Sequence, residues 1–67
     1  MMKSGDLVRI NGNVYVTDGR LLREGTFAIV VGPAHDKVNR TRGCLQIQVD
    51  GILEDISLNW LSAVNDA

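Results

Sequence analysis

The side chains best suited to chemistry in this chain are one histidine beside an aspartate and one cysteine. His35 and Asp36 are adjacent in a polar segment, and a His–Asp pair could supply half of a Ser–His–Asp triad. Adjacent loop residues seldom direct their side chains at one proton, and no serine or cysteine is placed to use His35 as a base. One histidine and Cys44 also fall short of the three or four ligands of a metal site. The chain is therefore predicted not to be an enzyme and to hold no metal or cofactor.

The charged residues divide the chain into a basic and an acidic part, although the net charge is only −1. Residues 20–42 contain five basic and two acidic residues, whereas residues 50–67 contain four acidic and no basic residues. Glu54 and Asp55 are adjacent in a strand-like segment, so they point to opposite faces and do not form a general-acid pair. We expect these two carboxylates to lie apart from the basic residues. The candidates for phosphate contacts are Arg20, Arg23, Lys37, Arg40 and Arg42.

Three aromatic residues could contribute to a binding surface. Phe27 lies in the most apolar segment and is expected in the core. Tyr15 and Trp60 are expected to meet at one edge of a groove, with Leu22 beside them, where they could bind a protein partner. An alternative role for Trp60 is to close the end of the fold against Leu7 or Leu22. No aromatic lies among the basic residues, although proteins that bind single-stranded nucleic acid usually stack bases on aromatic rings.

Glycine spacing sets the expected arrangement of elements. The 67 residues are 45% apolar and suit one globular domain, in which residues 1–4 and 65–67 are expected to fray. Seven glycines recur every six to eleven residues and separate short apolar segments, which predicts an all-β fold. No apolar segment approaches the length of about 20 residues that a membrane span needs. A single cysteine cannot form an intramolecular disulfide, and we expect a cytoplasmic protein.

Period-two alternation predicts which strand residues face inward. It is clearest over residues 44–50, where Gln46 and Gln48 are expected to be exposed. The strand over residues 26–31 is apolar after its first residue, so its phase stays open, and a bulge could shift it midway. Glu54 breaks the pattern of its strand, which places it at an open edge or beside a bulge. The expected core is Val8, Ile10, Leu45, Ile47, Val49, Ile56 and Leu61.

Turn-forming residues predict how the strands are connected. Residues 11–25 form a long excursion with a partial hairpin at its base, and residues 34–42 form a polar loop. Asp50-Gly51 predicts a tight type I′ hairpin, because both residues accept positive φ. Ser57 is a candidate N-cap for one helical turn over residues 57–61, followed by a short last strand over residues 62–64.

This order of elements resembles a known architecture. The segments KSGDLVRI, EGTFAIVV, LQIQVDG and NWLSAV are similar to those of the small SH3-like barrel proteins encoded by tailed bacteriophages, cyanophages included. The resemblance covers most of the chain between Gly5 and Val64. Barrels with the KOW motif and a small accessory protein of photosystem I share the layout. The resemblance implies one five-stranded SH3-like barrel, with a short helical turn before the last strand.

The resemblance also implies a function class. We expect a small non-enzymatic accessory or regulatory module, phage- or bacteria-encoded, that binds another protein in the (host) cytoplasm. The alternative is a KOW-like module that binds nucleic acid through the two basic loops, which flank one groove in such barrels. The photosystem layout would use the same loops to dock an acidic electron carrier. A monomer and an oligomer formed through an exposed edge strand are both compatible with the sequence.

Overall fold

The computed structural model describes residues 2–16 and 18–64, which fold into antiparallel β-sheets with one short helix and one 3-10 turn. The 3-10 turn spans Leu58–Trp60 and the helix, α1, spans Lys37–Thr41. The strands are β1 (Leu7–Ile10), β2 (Val14–Tyr15), β3 (Leu21–Leu22), β4 (Phe27–Pro33), β5 (Cys44–Val49), β6 (Ile52–Ser57) and β7 (Leu61–Ala63). The chain is mostly β, as the glycine spacing predicts.

Five strands form the main sheet, in the order β6-β5-β4-β1-β7, and every neighbouring pair is antiparallel. Strands β2 and β3 form a separate two-stranded ribbon in the excursion between β1 and β4, which confirms the predicted partial hairpin. Among the described residues the main sheet does not close on itself. The structure therefore shows an open antiparallel sheet, and the closed barrel of the resemblance is not seen.

The core lies between the inner face of the main sheet and the ribbon. Val8 and Ile10 of β1 and Ile47 of β5 are completely buried, and the ribbon segment contributes Val16 and Leu22. Six of the seven predicted core residues are buried: Val8, Ile10, Ile47, Val49, Ile56 and Leu61. The seventh, Leu45, is only half-buried and packs at the rim of the core. Gln48 is exposed as predicted, whereas Gln46 is half-buried.

The structure also decides the phase of β4. Ala28 and Val30 are buried, whereas Phe27 is 55% exposed and Ile29 39% exposed. The prediction that Phe27 belongs to the core is wrong, because the register pairs it with outward-pointing Arg9. The pairing of β4 with β5 shifts after Val30, where an irregularity leaves Val31 without a partner residue. This is the change of phase that the continuous apolar segment left open.

The β5–β6 hairpin follows its sequence signal. Asp50 and Gly51 have φ of 52° and 77°, and Val49 pairs with Ile52 across the turn. Positive φ at both central residues is typical of the predicted type I′ turn, whose twist matches that of the strands. The turn fixes the register, so Ile47 and Glu54 face each other on the inner side of the sheet.

Residues 34–42 are not a simple loop as predicted, because they contain α1. Asp36 is its N-cap and accepts a hydrogen bond from the Val38 amide at 2.7 Å. A helix of five residues with no buried side chain is too short to show apolar periodicity. The predicted helical turn after β6 is confirmed, and Ser57 caps it by accepting a bond from the Asn59 amide.

The ends of the described chain lie against the sheet. Met2 packs on the core and the Lys3 amide donates to the Asp6 carboxylate at 2.9 Å, so residues 2–4 do not extend away from the fold as expected. The last strand is displaced by one residue from its predicted position. The expected fraying of Met1 and of residues 65–67 lies outside the described residues. Within the described part, no helix has the length and apolar character to cross a membrane.

Candidate functional site

Of the three residues expected in an aromatic groove, two are exposed and one is buried. Tyr15 on β2 is 75% exposed and Trp60 is 40% exposed, so both rings are open to solvent. The Trp60 ring lies directly on Gly12, where an added Cβ would overlap it. Leu22 is only 4% exposed and belongs to the core, which corrects its assignment to the groove. Tyr15 and Trp60 are therefore accessible to a partner, whereas Leu22 offers almost no surface.

Arg20 is tied to acidic side chains. Its Nη2 donates to Glu54 Oε2 at 2.9 Å and its Nε donates to Asp18 Oδ2 at 3.2 Å. The hydrogen bond from Arg20 to Glu54 raises the pKa of Arg20 above its ordinary value, against a smaller opposing effect of burial. The expectation that Glu54 lies apart from the basic residues is thus wrong. The long excursion folds back onto the edge strand β6.

Arg40 is engaged with the backbone of its own segment. Its Nη1 donates to the carbonyl oxygens of Ala34 at 2.9 Å and His35 at 3.0 Å. The remaining candidate phosphate contacts, Arg23, Lys37 and Arg42, are exposed, and no ion pair among the described residues includes them. Two of the five basic candidates, Arg20 and Arg40, therefore already use their guanidinium groups in contacts within the protein.

Asp55 anchors α1 to the sheet. Its carboxylate accepts hydrogen bonds from the His35 amide at 2.8 Å, the Asp36 amide at 3.0 Å and Asn39 Nδ2 at 3.0 Å. Partial burial raises the pKa of Asp55, but these hydrogen bonds together lower it by more, and the net pKa lies below its usual value of 3.8. Asp55, like Glu54, thus contacts a basic segment, and the two carboxylates point to opposite faces as predicted.

A cleft of about 390 Å³ lies between α1 and the β5–β6 hairpin. Its walls include Asn39, Gln46 and Leu53, together with the two engaged carboxylates and the His35–Asp36 pair. Among residues 2–16 and 18–64, no three histidine, cysteine or carboxylate side chains gather as metal ligands. The cleft is open and polar at one end and apolar at Leu53.

The surface that sequence reasoning missed is the outer face of the main sheet. The register aligns Leu7 of β1 with Ile29 of β4, Ile29 with Gln48 of β5, and Gln48 with Leu53 of β6. The three aliphatic side chains of this row are 38%, 39% and 52% exposed. Arg9 and Phe27 form the adjacent pair on the same face. We define the outer-face patch as Leu7, Arg9, Phe27, Ile29, Gln48 and Leu53.

Arg9 and Phe27 form a cation–π pair at one end of the outer-face patch. The guanidinium carbon lies 5.5 Å from the centroid of the Phe27 ring. Ion pairs within residues 2–16 and 18–64 do not include Arg9, and its side chain makes no hydrogen bond to another described residue. The patch thus presents an aromatic and an arginine, two residue types that are enriched in protein interfaces.

One half of the outer face of the main sheet is covered by α1, and the other half is exposed to solvent. At the Asp55 end, α1 and the segment before it lie over the sheet through the hydrogen bonds to that carboxylate. No described element covers the row from Leu7 to Leu53, as its exposure shows. These residues lie far apart in the sequence, and only the strand register brings them together. A clustered apolar surface of this kind is typical of an interaction site.

Comparisons of the chain with protein-family models, with curated proteins and with solved structures found no match.

Proposed function

We propose that this protein is a small non-enzymatic accessory module that binds another protein through the outer-face patch. The observation that carries the proposal is the row of exposed aliphatic side chains beside the Arg9–Phe27 pair. Isolated exposed apolar residues need no explanation, but three exposed aliphatic side chains aligned across one sheet, with Gln48 between two of them, do. An interface would remove this apolar surface from water, which favours association.

We further propose that the fold is of the SH3-like type. Numbered along the chain, the five main strands lie in the order fourth, third, second, first, fifth. A long excursion with its own ribbon separates the first two, and a 3-10 turn precedes the last. This is the layout that the resemblance to phage-encoded proteins implies. On that resemblance we propose a bacteriophage or bacterial origin and action in the (host) cytoplasm. Such folds serve many functions, so the function rests on the outer-face patch.

Nucleic acid binding through the basic loops is the second candidate, and the geometry favours it less. The guanidinium of Arg20 donates a hydrogen bond to Glu54, and that of Arg40 donates to two backbone carbonyls. The three cations that remain would supply few phosphate contacts, on a protein whose net charge is −1. The outer-face patch itself carries one cation and one glutamine among four apolar side chains, which suits a protein surface better than a phosphate backbone.

The proposed function is tested by site-specific cross-linking. A photoreactive benzoylphenylalanine replaces Ile29 on the outer-face patch, and a matched variant carries it at Tyr15, on the ribbon. The variants are expressed in cells that naturally contain the protein, and the cross-linked partner is identified, purified and titrated against the wild type. We expect Phe27→Ser to weaken that binding at least tenfold, because a hot-spot aromatic in an interface contributes about 2 kcal/mol or more.

Two results would redirect the assignment. A partner that cross-links only at Tyr15, with an affinity insensitive to Phe27→Ser, would transfer binding to the aromatic surface of Tyr15 and Trp60. A gel shift of random DNA or RNA at low salt, weakened by the double variant Lys37→Gln, Arg42→Gln but not by Phe27→Ser, would support the nucleic-acid alternative. Its salt dependence should then become shallower by about one unit per lost contact.

A further inference from the structure

We infer that the partner places a carboxylate against Arg9, within a contact that is otherwise apolar. This inference rests on the proposed function, because it names the chemistry that the outer-face patch recognises. Arg9 is the only charged member of the patch, and its guanidinium carbon lies over the Phe27 ring, 5.5 Å from the centroid. A cation–π contact uses none of the N–H donors in hydrogen bonds, and a guanidinium can bind a carboxylate bidentately through them.

Arg9 has Leu7 and Phe27 on one side and Ser62 of β7 on the other, and the apolar side favours an acidic partner group. A partner that covers Leu7 and Ile29 also removes Arg9 from water, since Leu7 lies two residues away on the same strand face. Burial of an unpaired guanidinium would oppose binding, whereas a carboxylate would compensate for it. In such an apolar surrounding, a charge-assisted hydrogen bond is also stronger than it is in water.

The charge of the outer-face patch argues against a second copy of this chain as the occupant. The patch contains one arginine and no carboxylate, so two copies facing each other across a two-fold axis would bring two cations into one apolar contact. The nearest outward carboxylate in the register, Asp55, already accepts three hydrogen bonds from the α1 segment. Charge complementarity therefore points to a different protein, with aliphatic side chains around an aspartate or glutamate.

A displayed library of random peptides tests this inference while the partner is still unidentified. Peptides are selected on the wild-type protein and depleted on Phe27→Ser, so that the survivors bind the outer-face patch. We expect the survivors to combine aliphatic residues with at least one aspartate or glutamate. Circular dichroism of each protein variant verifies that the fold is retained, which exposed positions such as Arg9 and Phe27 should allow.

A double-mutant cycle then assigns the carboxylate to Arg9. A selected peptide and its matched amide, with the acidic residue replaced by Asn or Gln, are titrated against wild type and Arg9→Gln by fluorescence anisotropy. We expect each single change to weaken binding roughly tenfold, and the second change to have little further effect. Arg23→Gln removes an exposed cation outside the patch and should leave the affinity unchanged.

The outcomes separate this inference from the proposed function. Peptides that need Phe27 but are indifferent to Arg9→Gln and to loss of their carboxylate would overturn the inference and leave the proposed function standing. A library without any binder that depends on Phe27 would overturn both. If Arg23→Gln weakened peptide binding as much as Arg9→Gln does, the effect would be unspecific charge attraction. That result would also overturn the inference.

Discussion

Arg20 and Glu54 are joined by a 2.9 Å hydrogen bond across 34 residues of sequence, with the Glu54 side chain only 11% exposed. Arg20 follows the turn of the ribbon, and Glu54 lies on the inner face of β6, opposite the completely buried Ile47. The pair explains how an acidic residue occupies an inward position without leaving a charge unpaired. It also attaches the long excursion to the edge of the main sheet.

Removal of either partner should therefore destabilise the protein. Arg20→Gln leaves the largely buried Glu54 carboxylate without its cation, so we expect a lower melting temperature and a lower midpoint of urea denaturation. A double-mutant cycle with Glu54→Gln should show coupling, because the second change removes the charge that the first left unpaired. Arg23→Gln is the matched control and should change stability little. Additive effects of the two changes would mean that the ion pair does not contribute.

Glu54 should also keep the free edge of β6 from pairing with another chain. Among the described strands β6 pairs only with β5, and an inward-pointing charge on an edge strand disfavours addition of a further strand. We expect Glu54→Val to increase self-association, measured by analytical ultracentrifugation over a range of concentrations. Glu24→Val is the control, because it removes one negative charge from an exposed loop. We expect it to sediment with the same molecular mass as the wild-type protein. A monomeric Glu54→Val variant at high concentration would show that the charge does not guard this edge.

Asp55 should make stability depend on pH in the acid range. Its folded-state pKa is lowered by hydrogen bonds, so the stabilisation is fully present above the ordinary pKa of 3.8 and disappears as pH falls through the lower folded-state value. Asp55→Asn should lower the free energy of unfolding at pH 7 by about 1–3 kcal/mol and flatten its decline between neutral pH and about pH 2. Urea denaturation at successive pH values measures both.

The control for this prediction is Asp50→Asn. Asp50 is exposed in the β5–β6 turn, where asparagine also tolerates positive φ. The free energy of unfolding of Asp50→Asn at neutral pH should therefore equal that of the wild type. If the free energy of unfolding of Asp55→Asn fell with pH as steeply as that of the wild type, other carboxylates would be the cause and the prediction would be wrong.

The β5–β6 turn should be sensitive to a β-branched residue at Gly51. Its φ of 77° is strained for valine although the site has open space around it. We expect Gly51→Val to reduce the free energy of unfolding by more than about 1 kcal/mol. Gly32→Val, at a strand glycine with open space and no positive φ, should cost less in the same thermal melt. Equal costs at the two glycines would argue against backbone strain as the cause.

Gly12 should be needed for the position of Trp60. A Cβ at residue 12 would lie 2.7 Å from Trp60 Cε3, so Gly12→Ala must displace the indole ring. Trp60 is the single tryptophan, and its fluorescence reports this movement directly. We expect a red-shifted emission maximum for Gly12→Ala, because the displaced ring becomes more hydrated. Gly32→Ala, at a site with open space and no positive φ, controls for loss of glycine and should keep the wild-type emission.

Local signals predicted the hairpin and the core well, because they depend on neighbours in sequence. Asp50-Gly51 sets its own turn, and the alternation around Ile47 has no competing phase. The same reasoning failed for Phe27, since a continuous apolar segment fits either face and only pairing with Arg9 decides between them. The α1 helix escaped detection because it depends on the distant Asp55 rather than on a periodic pattern of its own.

The candidate site was harder to predict than the fold. Tyr15 and Trp60 stand out as aromatics, yet the sequence does not reveal that Leu22 is buried between the ribbon and the sheet. The outer-face patch draws its members from β1, β4, β5 and β6, so no single segment contains enough of it to be noticed. Its discovery requires the register across four strands, which is a property of the folded sheet.

Pairing of β1 with β7 has a consequence for the order of folding. This pair joins opposite parts of the chain: Asn11 donates to Ser62 across 51 residues. The β4–β5–β6 meander, by contrast, uses short connections and can form while the chain is still being synthesised. Contacts of long sequence separation form slowly, because loop closure must precede them. We therefore expect the meander to be the nucleus of folding and the β1–β7 ladder to form last, after Leu61–Ala63 has left the ribosome.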